Sequence, residues 1–161
     1  MALTGKLLLA LLLTLILAAA ALVAGGLIAN RLPWNDAPGT WRRLVTYLSS
    51  NVAETSEAPV FAELRSRAYR NKPAILFQAV GSAAQSLGWE IASRNLEDGE
   101  IELVITSKVW RFKDDVRVRI VQRDTESVVH IRSSSRIGRG DLGANTRHVL
   151  DLYGQLETEL R

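Results

Sequence analysis

The sequence predicts an α+β protein: one N-terminal transmembrane helix, then a four-stranded antiparallel sheet with two helices on one face, in the order α-β-β-β-β-α. Three observations carry that expectation. An uninterrupted apolar run opens the chain, four segments with a period of two follow Trp89, and two helical patterns bracket those segments. The three parts are expected at residues 1–30, 31–72 and 73–161.

From Leu7 to Ala29 there is no charged side chain, and Lys6 precedes the run. A helix of that length rises about 1.5 Å per residue and covers the roughly 30 Å of a bilayer core. A buried soluble helix would show a polar stripe, and this one shows none. The competing reading is a cleaved signal peptide, with Ala19, Ala20 and Ala21 as the small residues. The apolar run continues past them, which favours an uncleaved signal-anchor. Lys6 and the terminal amine on one side nearly balance Arg31, Arg42 and Arg43 on the other, so flanking charge barely decides orientation. A short tail led by a positive charge stays in the cytoplasm in such anchors, which places the domain of this single-pass chain outside the cytoplasm.

Two prolines and Gly39 then break the helix between Leu32 and Gly39. Thr40 is expected to N-cap a short helix whose Trp41, Leu44, Val45 and Leu48 form one apolar stripe, with Arg42, Arg43 and Thr46 off it. Two readings stand for that stripe: an interfacial helix at the bilayer or a membrane partner, or packing on the domain's own core. Asn51 to Tyr69 lacks a sustained period and reads as an extended connector. Arg65, Arg67, Arg70 and Lys72 form a basic run, either solvated surface or attracted to anionic headgroups.

Pro73 suits the first turn of a helix running to about Leu87, with Ile75, Leu76, Ala79, Val80, Ala83 and Leu87 inward and Gly88 as its C-cap. Trp89 and Ile91 begin the first of four strands, and Asp98-Gly99 turns the chain into the second, where Ile101, Leu103 and Ile105 share a face. Val116, Val118 and Ile120 follow in the third strand, Val129 and Ile131 in the fourth. Asp141 is expected to cap a last helix that turns Val149, Leu152, Tyr153, Leu156 and Leu160 inward. The opposite sheet face would carry Glu90, Arg94, Glu102, Arg117, Arg119, His130, Arg132 and Ser134. Pairing through the Arg123–Glu126 loop sets Arg119 opposite His130 and Arg117 opposite Arg132, a like-charge conflict. Either surface ion pairs, with Glu102 beside Arg119, or an anionic partner would relieve it.

A net charge of +3 falls short of a dedicated nucleic-acid binder, and the absence of cysteine excludes disulfides and thiolate chemistry. The two histidines, His130 and His148, have no partner at i+3 or i+4 for a metal motif. Ser133, Ser134 and Ser135 lack a hydrolase elbow. Asp114 and Asp115, if they open a strand, project to opposite faces and make a shared acid/base site unsuitable. The densest polar segment runs from Arg132 to Arg147. A helix N-terminus beside Arg136 and Arg139 suits an anion; alternatively Arg136 bonds Asp141 or Asp114, and Asn145 bonds the turn backbone. No catalytic residue, cofactor or metal is expected, and the chain is read as a non-enzyme.

Leu87-Gly88-Trp89, the run from Arg111 to Val116, and the segment from Arg132 to Asn145 resemble the bacterial domain-of-unknown-function family 1499, in its membrane-anchored branch. Asn51 to Ser56, with Glu63-Leu64-Arg65, also resembles that family's connector. The likeness covers roughly residues 51 to 161, and the Ser-Arg-Gly-Asp-Leu-Gly-Asn segment is its most specific part. Ala144 stands where the family leads one to expect valine, and the cysteine-containing segment of another branch is absent. The resemblance implies interest in Phe112, Asp114, Asp115, Arg136, Asp141 and Asn145 without assigning them a reaction. The resulting expectation is a membrane-anchored binding or structural module, an accessory subunit of a membrane protein complex; the alternative is a periplasmic lipid- or anion-binding protein. Candidate contacts are Trp41, Arg117, Arg119, His130, Arg132, Arg136, Arg139, Asp141 and Asn145.

Overall fold

The structure is a computed structural model that describes residues 2–107 and 111–161. Its first helix, α1 (Ala2–Ala29), is long and apolar enough to cross a membrane. A short helix α2 (Thr40–Ser49) follows. Next come strand β1 (Val52–Glu54), a 3-10 turn at Ala62–Leu64, strand β2 (Arg67–Tyr69) and helix α3 (Pro73–Ser86). Strands β3 (Glu90–Asn95), β4 (Glu100–Thr106), β5 (Lys113–Arg123) and β6 (Glu126–Ser135) lead into helix α4 (Ala144–Glu159).

The mixed helix-and-sheet architecture and the antiparallel β3-β4-β5-β6 meander agree with the sequence. The strand count does not. The sheet has six strands in the order β1-β6-β5-β4-β3, with β2 also paired to β6. The stretch expected as a plain connector supplies both additional strands. Each is three residues long, too short to show a period of two. Their place explains them: β1 pairs along Arg132–Ser134 and β2 along Ser127–Val129, so together they cover the outer edge of β6. An uncovered edge would offer a row of unpaired backbone groups to another chain. Between the two strands, Thr55 accepts from the Ile131 amide through Oγ1 and donates its own amide to the Ile131 carbonyl.

Helices α3 and α4 pack against each other and on one sheet face. The core joins Leu76, Phe77 and Val80 of α3 to Leu152, Tyr153 and Leu156 of α4, over Leu103, Val118 and Ile131. The inward face of α3 is rotated from the expected one: Phe77 and Ala84 are buried, whereas Ile75 is exposed. Gly88 adopts a φ of 72° and terminates α3 as expected, with its amide bonded to the Gln85 carbonyl. The same core takes in Leu32, Tyr47, Ala53, Phe61 and Leu64, all upstream of Pro73. Hence the 31–72 stretch packs as part of the domain, and the core does not start at Pro73.

One parity change alters the open face. A bulge between Ile91 and Ser93 inserts Ala92 into β3. Shifting by one residue moves a side chain to the opposite face. Arg94, expected on the open face, therefore lies over the Phe77 ring at 4.9 Å and donates to Gln78.

Candidate functional site

The polar corner that joins β6 to α4 is a hydrogen-bonded network built on Asp141, Asn145 and Asn51. Asp141 spreads its carboxylate over the start of α4, accepting from the Gly143 and Asn145 amides at 2.8 Å each. This satisfies two amides at the helix start, although the cap position expected for Asp141 is held by Gly143, two residues further on. Asn145 is wholly buried; its amide group donates to the Asn51 carbonyl and to Ser135, and its oxygen accepts from Ser133 at 2.5 Å. Asn51 in turn donates to the Gly138 carbonyl at 2.6 Å.

The corner also receives the end of α1 and the end of α2. Asn30 donates to the Leu142 carbonyl at 2.9 Å, and the Leu142 amide donates to the Tyr47 carbonyl at 3.0 Å. A methyl group on Gly140 would lie 2.3 Å from the Leu48 carbonyl oxygen, and one on Gly143 would lie 2.2 Å from Leu32. Gly143 also holds a φ of 85°, a conformation that glycine adopts without a steric penalty. These glycines let the backbone touch α2 and the chain leaving α1. The surfaces they meet are more than 90 positions away in the chain, so no local pattern marks these contacts.

A buried arginine completes the joint. Arg43, read from sequence as lying off the apolar stripe, is fully buried and forms a two-pronged ion pair with Glu63. It donates as well to the Tyr47 hydroxyl and the Ala37 carbonyl, and sits 4.6 Å from the Phe61 ring centre. The Glu63 carboxylate raises the affinity of this guanidinium for its proton despite burial. Helix α2 thus turns Arg43 and Tyr47 inward, and its Trp41, Val45 and Leu48 stripe outward. Of the expected stripe Trp41, Val45 and Leu48 are exposed and Leu44 is half-buried, so the stripe as a whole does not pack on the domain's own core. Thr40 does not act as the cap either: its hydroxyl donates to the Trp34 carbonyl, and Gly39 occupies the cap position.

On the open sheet face the register is the expected one, with Arg117 opposite Arg132 and Arg119 opposite His130. The next strands carry the compensating charge. Glu102 lies opposite Arg117 and bonds it at 2.9 Å, instead of standing beside Arg119. Glu100 faces Arg119 at 3.7 Å, and Glu54 of β1 faces Arg132 at 3.4 Å. Arg136 grips Asp115, rather than Asp141 or Asp114, through two nitrogens at 2.6–3.1 Å. That bond holds the Asp115 carboxyl below its ordinary value. His130 is bonded to Ser66 at 3.0 Å, and burial with the nearby arginines depresses its proton affinity. A groove of about 430 Å³ crosses this face, lined by Glu102, Asp115, Arg117, Arg132, Ser134 and Arg136.

Two sequence readings lose their geometry. The N-terminus of α4 is occupied by Asp141, and Arg136 turns away to Asp115, so they do not converge on an anion; Arg139 is exposed. Of the basic run, Arg67 pairs with Glu157 and stacks on Tyr153, while Arg70 and Lys72 adjoin Asp124 at the β5–β6 turn. That turn lies roughly 30 Å along the strands from the corner that meets α1, at about 3.3 Å per residue.

Sequence reasoning also missed a buried contact among Asp114, Ser133 and His148. The Ser133 hydroxyl and the Asp114 carboxylate approach the same ring nitrogen of His148, Nδ1, at 3.3 and 3.8 Å. A nucleophilic relay needs the hydroxyl on one ring nitrogen and the carboxylate on the other. Ser133 is moreover fully buried and committed to Asn145. The arrangement orients groups and does not activate a nucleophile.

Fold and corner together define a small α+β domain fastened to an N-terminal apolar helix. The chain belongs to the family described as protein of unknown function DUF1499, whose model matches residues 36–156. That match begins in the loop before α2 and ends near the last turn of α4, so it takes in α2, the corner and the sheet but not Asn30 or Leu32. No curated protein matches the chain.

Proposed function

We propose that this protein is a non-catalytic, membrane-anchored binding or structural module, serving as an accessory subunit of a membrane protein complex with its domain in the periplasm. The observation that carries the reading is the joint. The chain leaving α1, α2 and the Gly138–Asn145 corner interlock through Asn30, Leu32, Tyr47 and the Gly140 and Gly143 contacts. A cleaved signal segment has no need of such packing. A domain fixed on its anchor presents one face in a constant direction, which suits assembly beside another membrane protein. The open sheet face, with its charges matched in rows, offers a directional pattern for that contact, because matched and mismatched charges set orientation more than affinity.

A second reading, a lipid- or anion-binding protein, draws on the groove between Arg117, Arg132 and Arg136. Each of these arginines already faces a carboxylate, which argues for the first reading. Purification of the full chain in mild detergent discriminates between them. A membrane protein recovered in stoichiometric amount supports the accessory subunit; extracted lipid at one molecule per chain supports the alternative. A monomer with neither would count against both.

A further inference from the structure

We propose that α2 is seated in the headgroup layer of the membrane that α1 enters, with Trp41, Val45 and Leu48 turned into lipid. The proposal rests on the membrane anchoring in the reading above and adds the surface on which the domain lies. Helix α2 has two faces. At about 100° per residue, Arg43 and Tyr47 fall on one side and Trp41, Val45 and Leu48 roughly opposite. The first pair is 0% and 2% exposed; the second set is 76%, 46% and 47% exposed. Single exposed apolar residues are ordinary on any surface. A stripe of three, led by an indole, on a ten-residue helix that buries an arginine instead is the inverse of a soluble amphipathic helix.

The position of the stripe identifies what covers it. The Leu48 carbonyl abuts Gly140, and the Leu142 side chain two residues on lies against Gly26 of α1. The stripe therefore lies beside the point where α1 leaves the domain. Ile137, on the same corner, is 69% exposed and adds a further apolar group. Tryptophan at that level suits the interface, where its ring meets the acyl boundary and its N–H meets water. Charge agrees. Arg31, Arg42 and Arg139 are exposed around this end and make no ion pair among the described residues, whereas the arginines of the open sheet face are paired. Unpaired cations flanking an apolar stripe fit the anionic surface of a bilayer.

The chain has no cysteine, so single spin labels are unambiguous. The full chain carrying Val45→Cys, Ile137→Cys or, as a distant control, Leu96→Cys is labelled with a nitroxide and placed in phosphatidylethanolamine–phosphatidylglycerol vesicles. Folding of each variant is checked by circular dichroism. Collisions with oxygen should exceed those with a water-soluble nickel complex at Val45→Cys and Ile137→Cys, and the order should reverse at Leu96→Cys. In phosphatidylcholine alone, the Val45→Cys label should lie shallower, as should the label in an Arg42→Gln/Arg139→Gln background. A Val45→Cys label as water-accessible as Leu96→Cys, in protein still bound to the vesicles, would overturn the seating while leaving the anchor intact. Protein released from the vesicles would overturn the anchor as well. A label shielded from both reagents, or broadened by a neighbouring label, would show a protein covering the stripe and would refute the lipid assignment.

Discussion

Glu63→Ala tests how firmly the 31–72 stretch is held to the rest of the domain. In the structure Arg43 is wholly buried, and Glu63 is the carboxylate that pairs with it. Removing one partner of a buried ion pair leaves an uncompensated charge and costs about 3–5 kcal/mol. Arg43 would keep its bonds to the Tyr47 hydroxyl at 3.2 Å and the Ala37 carbonyl at 3.1 Å, so the lower end, about 3 kcal/mol, is expected. For a domain of this size that lowers Tm by roughly 10 °C. Chemical denaturation of the full chain in mild detergent gives the free energy. Near-ultraviolet circular dichroism follows the Trp34–Tyr47 edge contact, whose ring centres are 5.5 Å apart. The Arg43→Met/Glu63→Leu pair should recover most of the loss, because apolar groups of similar volume avoid the desolvation of both charges. A loss under about 1 kcal/mol for Glu63→Ala, or a double variant no better than the single one, would refute the buried-charge argument.

Three further outcomes are expected. Asp141→Ala removes the acceptor for two amides at the start of α4 and should cost ~0.5–2 kcal/mol, read as a lower Tm. Arg117→Ser/Arg132→Ser removes a cross-strand pair of like charges together with two exposed ion pairs, each worth ~0–1 kcal/mol. Stability should change by less than about 1 kcal/mol, and loss of a co-purifying partner would mark the open face as the contact. His148 is held below its ordinary value of 6.5 by burial, which outweighs the nearby carboxylates of Asp114, Asp151 and Asp141. The unfolded chain therefore takes up this proton first, and stability is lost as pH falls below 6.5 toward the folded-state value. His130 contributes with the same sign, whereas Asp115, depressed by Arg136, acts only below its ordinary 3.8. His148→Asn should flatten the stability profile between pH 7 and 5; an unchanged slope would contradict the burial argument.

Periodicity and local turn chemistry alone determined the apolar N-terminal helix, the four long strands, the register that sets Arg117 opposite Arg132, and the presence of Asp141 at the start of α4, though Gly143 holds the cap position. Each of these depends on neighbours within one helix, one hairpin or one turn, and such neighbours leave a period or a spacing in the chain. The bulge at Ala92 left no such mark, and Arg94 was placed on the wrong face because a single inserted residue reverses parity beyond it. Strands β1 and β2 escaped notice because three residues carry no period and their partner, β6, lies between 58 and 82 positions downstream in register. The direction of α2 was a tertiary decision. Its amphipathic pattern defined a stripe, but burial went to Arg43 and Tyr47, since Glu63 and Phe61 supplied a charge and a ring where the stripe would otherwise have packed. The role of the corner was likewise legible only in part. Asn145 could be read as bonding the turn, whereas the use of Gly140 and Gly143 as the surface that receives Leu32, Tyr47 and Leu48 required the distant ends of α1 and α2 to be brought against them.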